Sequence, residues 1–135
     1  MIDVVTAVLK NGDKILILKR GDRVRTYKGK WACVSGYLEG NEGALERAYK
    51  EIEEETGLKR EDVKLIKAGK PIEFYDEKEK MNWRVHPFLF EVKRGNVKID
   101  WEHTEYKWIH PEEIVKYETV PKLKEVIFNL LEINE

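Results

Sequence analysis

Apolar and polar positions alternate in short blocks along most of this chain, and in two places the spacing changes to that of a helix. Val4–Leu9 is rich in β-branched residues and reads as a strand. Asn11-Gly12-Asp13 is a turn signal, and Lys14–Leu18 reads as the returning strand of a hairpin. Gly21–Lys30 is polar and basic and reads as a loop, whereas Trp31–Val34 is a short apolar run that suits a buried strand. Ser35–Gly43 holds three glycines, which marks a loop with unusual backbone angles. Asn41 is placed as the N-cap of a helix running to about Thr56, and Gly57 stands where a glycine stop belongs. Val63–Ala68, Ile72–Tyr75, Trp83–Val92 and Tyr106–Ile109 read as strands. Pro111 opens a short helix with Glu112 and Glu113. Pro121–Asn134 reads as an amphipathic helix, with Leu123, Val126, Ile127, Leu130 and Leu131 at helical spacing. Mixed strands with two or three helices predict an α/β fold of α/β/α layers. A length of 135 residues fits one domain over 1–135.

Composition narrows the class of function. Charged residues make up 38% of the chain, yet the net charge is −1, which excludes a basic nucleic-acid-binding domain as a whole and leaves only a local basic patch open. Glutamine is absent, and Lys and Glu dominate the charged set, the bias of hyperthermophile proteins. The lone Cys33 has no internal disulfide partner, which favours a reducing compartment. The N-terminus lacks a basic segment followed by an apolar stretch, and no apolar run approaches membrane-spanning length. A cytoplasmic protein with no membrane partner is expected.

Candidate chemistry lies on the first helix. At about 100° per residue, Glu51, Glu54 and Glu55 share one face, beside a buried face formed by Leu45, Ala48, Tyr49 and Ile52. Glu46, Lys50 and Glu53 point outward, Glu46 and Lys50 forming an i,i+4 pair. Three like charges on one face repel, and the repulsion grows as the surroundings become less polar. A divalent cation removes that cost, and oxygen-only donors suit Mg²⁺ or Mn²⁺ better than zinc. A solvated acidic face accounts for the same carboxylates on the helix alone. Gly36 and Gly40 shift the balance, because glycines before the helix let backbone approach a metal or phosphate closely.

The segment resembles the Nudix hydrolase family. The family's box, G-x5-E-x7-R-E-U-x-E-E-x-G-U with U a bulky apolar residue, reads here as Gly36, Glu42, then Lys50-Glu51-Ile52-Glu53-Glu54-Glu55-Thr56-Gly57-Leu58. Every spacing matches, and one position departs: the family's Arg is Lys50, which can pair with a glutamate but cannot form a bidentate fork. The resemblance implies a Nudix α/β/α sandwich with a mixed sheet. It implies metal-dependent hydrolysis of a phosphoanhydride in a nucleoside diphosphate linked to another group: a nucleoside triphosphate, a dinucleoside polyphosphate or a nucleotide sugar. It further implies Glu51, Glu54 and Glu55 as catalytic and metal-binding residues, the Gly36 carbonyl as a further metal ligand, and Glu51 as general base. Glu102 and Glu105 stand where several members supply an extra metal-binding acid, and a homodimer follows family habit. A different class, a non-catalytic module of the same fold that binds a nucleotide or a protein, would be marked by lost box glutamates, and none is lost.

The box does not choose the substrate. Tyr75 lies 17 residues after Leu58, close to where the family's dinucleoside polyphosphate hydrolases carry a base-stacking tyrosine. Pro71 is near, but not at, the proline associated with ADP-ribose hydrolases. Phe74, Tyr75 and Trp83 are candidates to stack on a nucleobase, with packing of the sheet as the other explanation. Arg23, Arg25, Lys28 and Lys30 are candidates for phosphate contacts, with loop solvation as theirs. His86, His103 and His110 show no metal-ligand spacing. Cys33 sits in an apolar run and reads as core.

Overall fold

The structure, a computed structural model, describes residues 1–134. Its centre is β1 (Ile2–Asn11), which returns through the Asn11–Lys14 turn into β2 (Lys14–Arg20). Gly12 takes the positive φ of 61° that this tight hairpin needs. The expected Trp31–Val34 strand is two strands: β3 (Trp31–Ala32) pairs with β2, and β4 (Val34–Tyr37) pairs with β1. The chain changes partner at Cys33, so Ser35, Gly36 and Tyr37 are strand residues and not the loop that the glycine count predicts. Helix α1 (Ala44–Thr56) follows, then β5 (Val63–Ala68), β6 (Ile72–Asp76), β7 (Met81–Val92), β8 (His103–Ile109) and α2 (Leu123–Leu131). Pro111–Lys116 is a 3₁₀ helix.

The sheet is mixed. β7 runs parallel to β1 from Ile2–Trp83 to Lys10–Glu91, while β5 and β6 pair antiparallel with β7, and β8 antiparallel with β2. Side chains of β1 alternate between its two faces. Val5, Ala7 and Leu9 join Ala48 and Ile52 of α1 in one core, and Val8 joins Val126 and Ile127 of α2 in the other. One helix on each face makes the α/β/α sandwich that the pattern predicts.

Two helix starts differ from expectation, and the glycine stop of α1 agrees with it. Gly43, not Asn41, is the N-cap of α1, with no side-chain cap. Asn41 lies inside a turn in which Glu42 N–H donates to the Glu39 carbonyl and Glu39 N–H to Glu42 Oε1. Gly57 closes α1 at φ 76°, its N–H donating to the Glu53 carbonyl. α2 starts at Leu123 because Lys122 adopts a left-handed φ of 66°, which breaks the helical path after Pro121. Among the described residues, no helix is long and apolar enough to cross a membrane.

A carboxylate-lined candidate active site

The sequence folds α1 against the sheet so that two of its acids go inward. Glu51 and Glu55 are buried, whereas Glu54 is exposed at the rim. Glu55 is 1% exposed, and its Oε1 faces the Ser35 backbone N–H at 3.4 Å and His103 Nε2 at 3.7 Å. Its other oxygen, Oε2, has no hydrogen-bond partner. Burial first, and the neighbouring Glu51 second, push the Glu55 carboxyl well above the ordinary value of 4.5. Burial and then Glu51 also raise Glu54. Both shifts are led by burial, with the charge of Glu51 adding to it.

Gly36 shows why β4 must pass without a side chain here. A Cβ built on it would lie 2.6 Å from Glu51 Oε2 and 2.5 Å from Glu51 Cγ. The backbone and the carboxylate thus share one close contact, and any larger residue would displace the acid.

Arg47 is the cation among these acids, and the sequence reading did not single it out. Its Nε donates to Glu42 Oε1 at 2.7 Å and its Nη2 to Glu42 Oε2 at 3.0 Å, a bidentate fork. Nη1 donates to Glu51 Oε2 at 3.0 Å. The fork, and then the Glu39 backbone N–H, hold the Glu42 carboxyl down at about 2. Lys50 Nζ stands 3.6 Å from Glu42 Oε2 and makes no comparable fork. The expected Glu46–Lys50 pair is not formed: Glu46 pairs with Arg60 at 3.1 Å, since the 3₁₀ turn after α1 brings that guanidinium over.

The later acids separate. Glu102 is half-buried and lines the same cleft, and burial, then Asp100 and Glu51, raise its pKa. Glu105 lies inside β8 opposite Lys19, points away and pairs with Lys19 at 3.7 Å. His103, given no role from sequence, is buried between the two acidic segments, with Nδ1 2.9 Å from Asp100 Oδ1. Its pKa is lowered by burial.

The cleft has a volume of about 420 Å³ and runs from these carboxylates to an aromatic end. Trp83 lies there between Tyr37, stacked at 6.0 Å, and Tyr27, tilted at 6.2 Å. Tyr27 O–H donates to Asp76 Oδ2 at 2.5 Å, tying the 21–30 loop to β6. Phe74 lines the cleft, but Tyr75, next to it on β6, faces the other side and is 53% exposed. Arg23 and Arg25 are exposed outside the cleft wall. The arginine that reaches the cleft from this side is Arg20, whose Nε donates to the Thr26 carbonyl at 3.0 Å. Cys33 is buried, and burial pushes its thiol up to about 12, as a core residue requires.

These residues suit a hard divalent cation. The donors are oxygens, one buried oxygen is orphaned, and Glu54, Glu55 and Glu102 hold their protons more tightly than ordinary carboxyls. Among the described residues, no three His, Cys, Asp or Glu side chains already stand in metal-ligating geometry. The acids form a wall, not a closed cage.

A sequence model of the NUDIX domain matches residues 2–130. A nucleoside triphosphatase, NudI of Escherichia coli O139:H28, is 28% identical over 127 residues, covering 85% of this chain and 86% of its own. The MutT protein of Methanosarcina mazei Go1 superposes with a TM-score of 0.76 at 28% identity, over 99% of this chain and 95% of that one. The Escherichia coli dihydroneopterin triphosphate pyrophosphohydrolase superposes at 0.82 with 19% identity, over 98% and 96%. A Caenorhabditis elegans Ap4A hydrolase superposes at 0.81 with 15% identity, over the same shares of the two chains. The last two likenesses are likenesses of fold.

Proposed function

The chain belongs to the NUDIX domain family and is a hydrolase of phosphoanhydride bonds, and on that premise we propose a single-domain, Mg²⁺- or Mn²⁺-dependent pyrophosphohydrolase of a nucleoside diphosphate derivative. One observation carries the reading: Glu51, Glu54 and Glu102 line one end of a cleft whose other end is aromatic, with Glu55 buried next to Glu51 and one of its oxygens orphaned. A polyphosphate with a base on one side has that polarity.

In this reading Glu51, Glu54 and Glu55, with the Gly36 carbonyl and Glu102, would hold the metal. The bound metal would neutralise phosphate charge and lower the pKa of a coordinated water. Glu51 takes the proton from the attacking water. Phe74 and Trp83 stack on the base, flanked by Tyr27 and Tyr37, as every nucleobase offers a π-face. Arg20 meets phosphate oxygens between the two ends. Glu105, Arg23, Arg25 and Tyr75 take no direct part. Nucleoside triphosphates are the first substrates to try, as in the NudI relative's name.

The test is hydrolysis of a nucleoside triphosphate, dinucleoside polyphosphate and nucleotide-sugar panel with Mg²⁺ and with EDTA. Turnover of a triphosphate, lost with EDTA and in folded Glu54→Gln and Glu55→Gln, is expected. Full activity in both variants would remove the metal-site assignment.

A further inference from the structure

We infer that Arg47 is the positioning residue of this site: its single guanidinium fixes the Glu42 loop and the Glu51 carboxylate together. This rests on the reading of Glu51 as a metal ligand and base. The geometry is specific to a planar fork. Two of the guanidinium nitrogens take both oxygens of Glu42 at 2.7 and 3.0 Å, and the third takes Glu51 Oε2 at 3.0 Å. Glu39 adds a longer contact at 3.8 Å to Nη2. All three nitrogens are therefore committed, and the side chain is only 13% exposed.

The chain needs this arrangement because of what surrounds Glu51. That carboxylate is pressed against Gly36 and lies near the like-charged Glu54 and Glu55 on its own helix. Unrestrained, it would swing away from Glu54 and Glu55 to relieve repulsion. Arg47, one turn earlier on the same helix, offsets the charge and dictates which oxygen faces the guanidinium. The other oxygen of Glu51 is then left for a ligand. Lys50 does not do this work. It reaches one Glu42 oxygen at 3.6 Å from a side chain that is 58% exposed, and as residue 50 it is adjacent to Glu51 and not facing it. Arg47 thus replaces a fork at position 50 with one that reaches both acids at once.

The prediction separates fork from charge. Arg47→Lys keeps the charge and loses the planar geometry. In the full-length protein it is expected to weaken Mn²⁺ binding, read by electron paramagnetic resonance, by about tenfold to a hundredfold, and to lower kcat by a similar factor. KM for the nucleotide should stay within about threefold, since the base end of the cleft is untouched. Glu42→Gln, which leaves Arg47 in place but removes half of its charged fork, should shift Mn²⁺ affinity in the same direction. A purely structural role would lower the melting temperature and leave both Mn²⁺ affinity and kcat of the folded Arg47→Lys protein at wild-type values, and that result overturns the inference. So does unchanged Mn²⁺ affinity in Glu42→Gln. If wild-type protein turns over no nucleotide, the proposed function falls, but the Mn²⁺ comparison still decides the role of Arg47.

Discussion

Glu55→Gln should relieve a pH-dependent weakness of the metal-free protein. The wild-type carboxyl is 1% exposed, with Oε2 unpaired, and burial and then Glu51 hold its pKa well above 4.5. Below pH 4.5 it is neutral in the folded and the unfolded chain and costs nothing. Above that value the unfolded chain releases the proton while the folded protein keeps it. The folded state then loses about 1.4 kcal/mol of stability per pH unit, until its own raised pKa is passed. Gln is of equal size and is always neutral, so the variant lacks this slope. Asp3 and Glu42, lowered to about 2, keep their contributions in both proteins and cancel in the difference. His103, which burial lowers from 6.5, stands against Glu55 and loses stability in the opposite sense, as pH falls, so it does not produce a decline with rising pH. Urea unfolding in EDTA from about pH 5 to about pH 8 reads the difference. The stability of Glu55→Gln relative to wild type should climb with pH and then level off. Saturating Mn²⁺ should reverse the order by stabilising wild type more than the variant. Parallel stability curves across that range would refute the buried, proton-binding carboxyl.

Three further outcomes are expected. Gly36→Ala puts a Cβ against Glu51 without straining the backbone, and should cost on the order of a hundredfold in kcat with an unchanged circular dichroism spectrum; wild-type turnover would show that Glu51 can move freely. Trp83→Leu removes the ring between Tyr27 and Tyr37 and should raise KM for a nucleoside triphosphate roughly tenfold while kcat holds, from a stacking worth of about 1–3 kcal/mol; equal KM values would take the base away from this end. Cys33, with its thiol near 12, is roughly one part in ten thousand thiolate at about pH 8, so a disulfide reagent should label it only in denaturant, and rapid labelling of native protein would contradict its burial.

The fold and the acidic face were legible from sequence because both depend on short-range spacing. A helix of thirteen residues places Glu51 and Glu55 on one face whatever lies around it. What escaped depends on parity and register across distant strands. Phe74 and Tyr75 are adjacent on β6, so one must face the cleft and the other must not, and no feature of the pair says which. Glu102 and Glu105 are three residues apart, yet the turn before β8 keeps one at the carboxylates, while the pairing of Glu105 with Lys19 carries the other away. His103 meets Glu55 only because β8 lies beside β2, and Tyr37 meets Trp83 only because β4 and β7 flank β1. Arg47 is different, since its i,i+4 relation to Glu51 could have been counted on the helix. It falls at a variable position of the box, whereas Lys50 falls at a fixed one. The irregularity is real, but its meaning is positional: helix periodicity allows a guanidinium one turn earlier to reach the same loop glutamate and Glu51 as well. A substitution inside a motif therefore has to be judged against every residue within one turn of it, because on a helix those are the side chains that can take over its contacts.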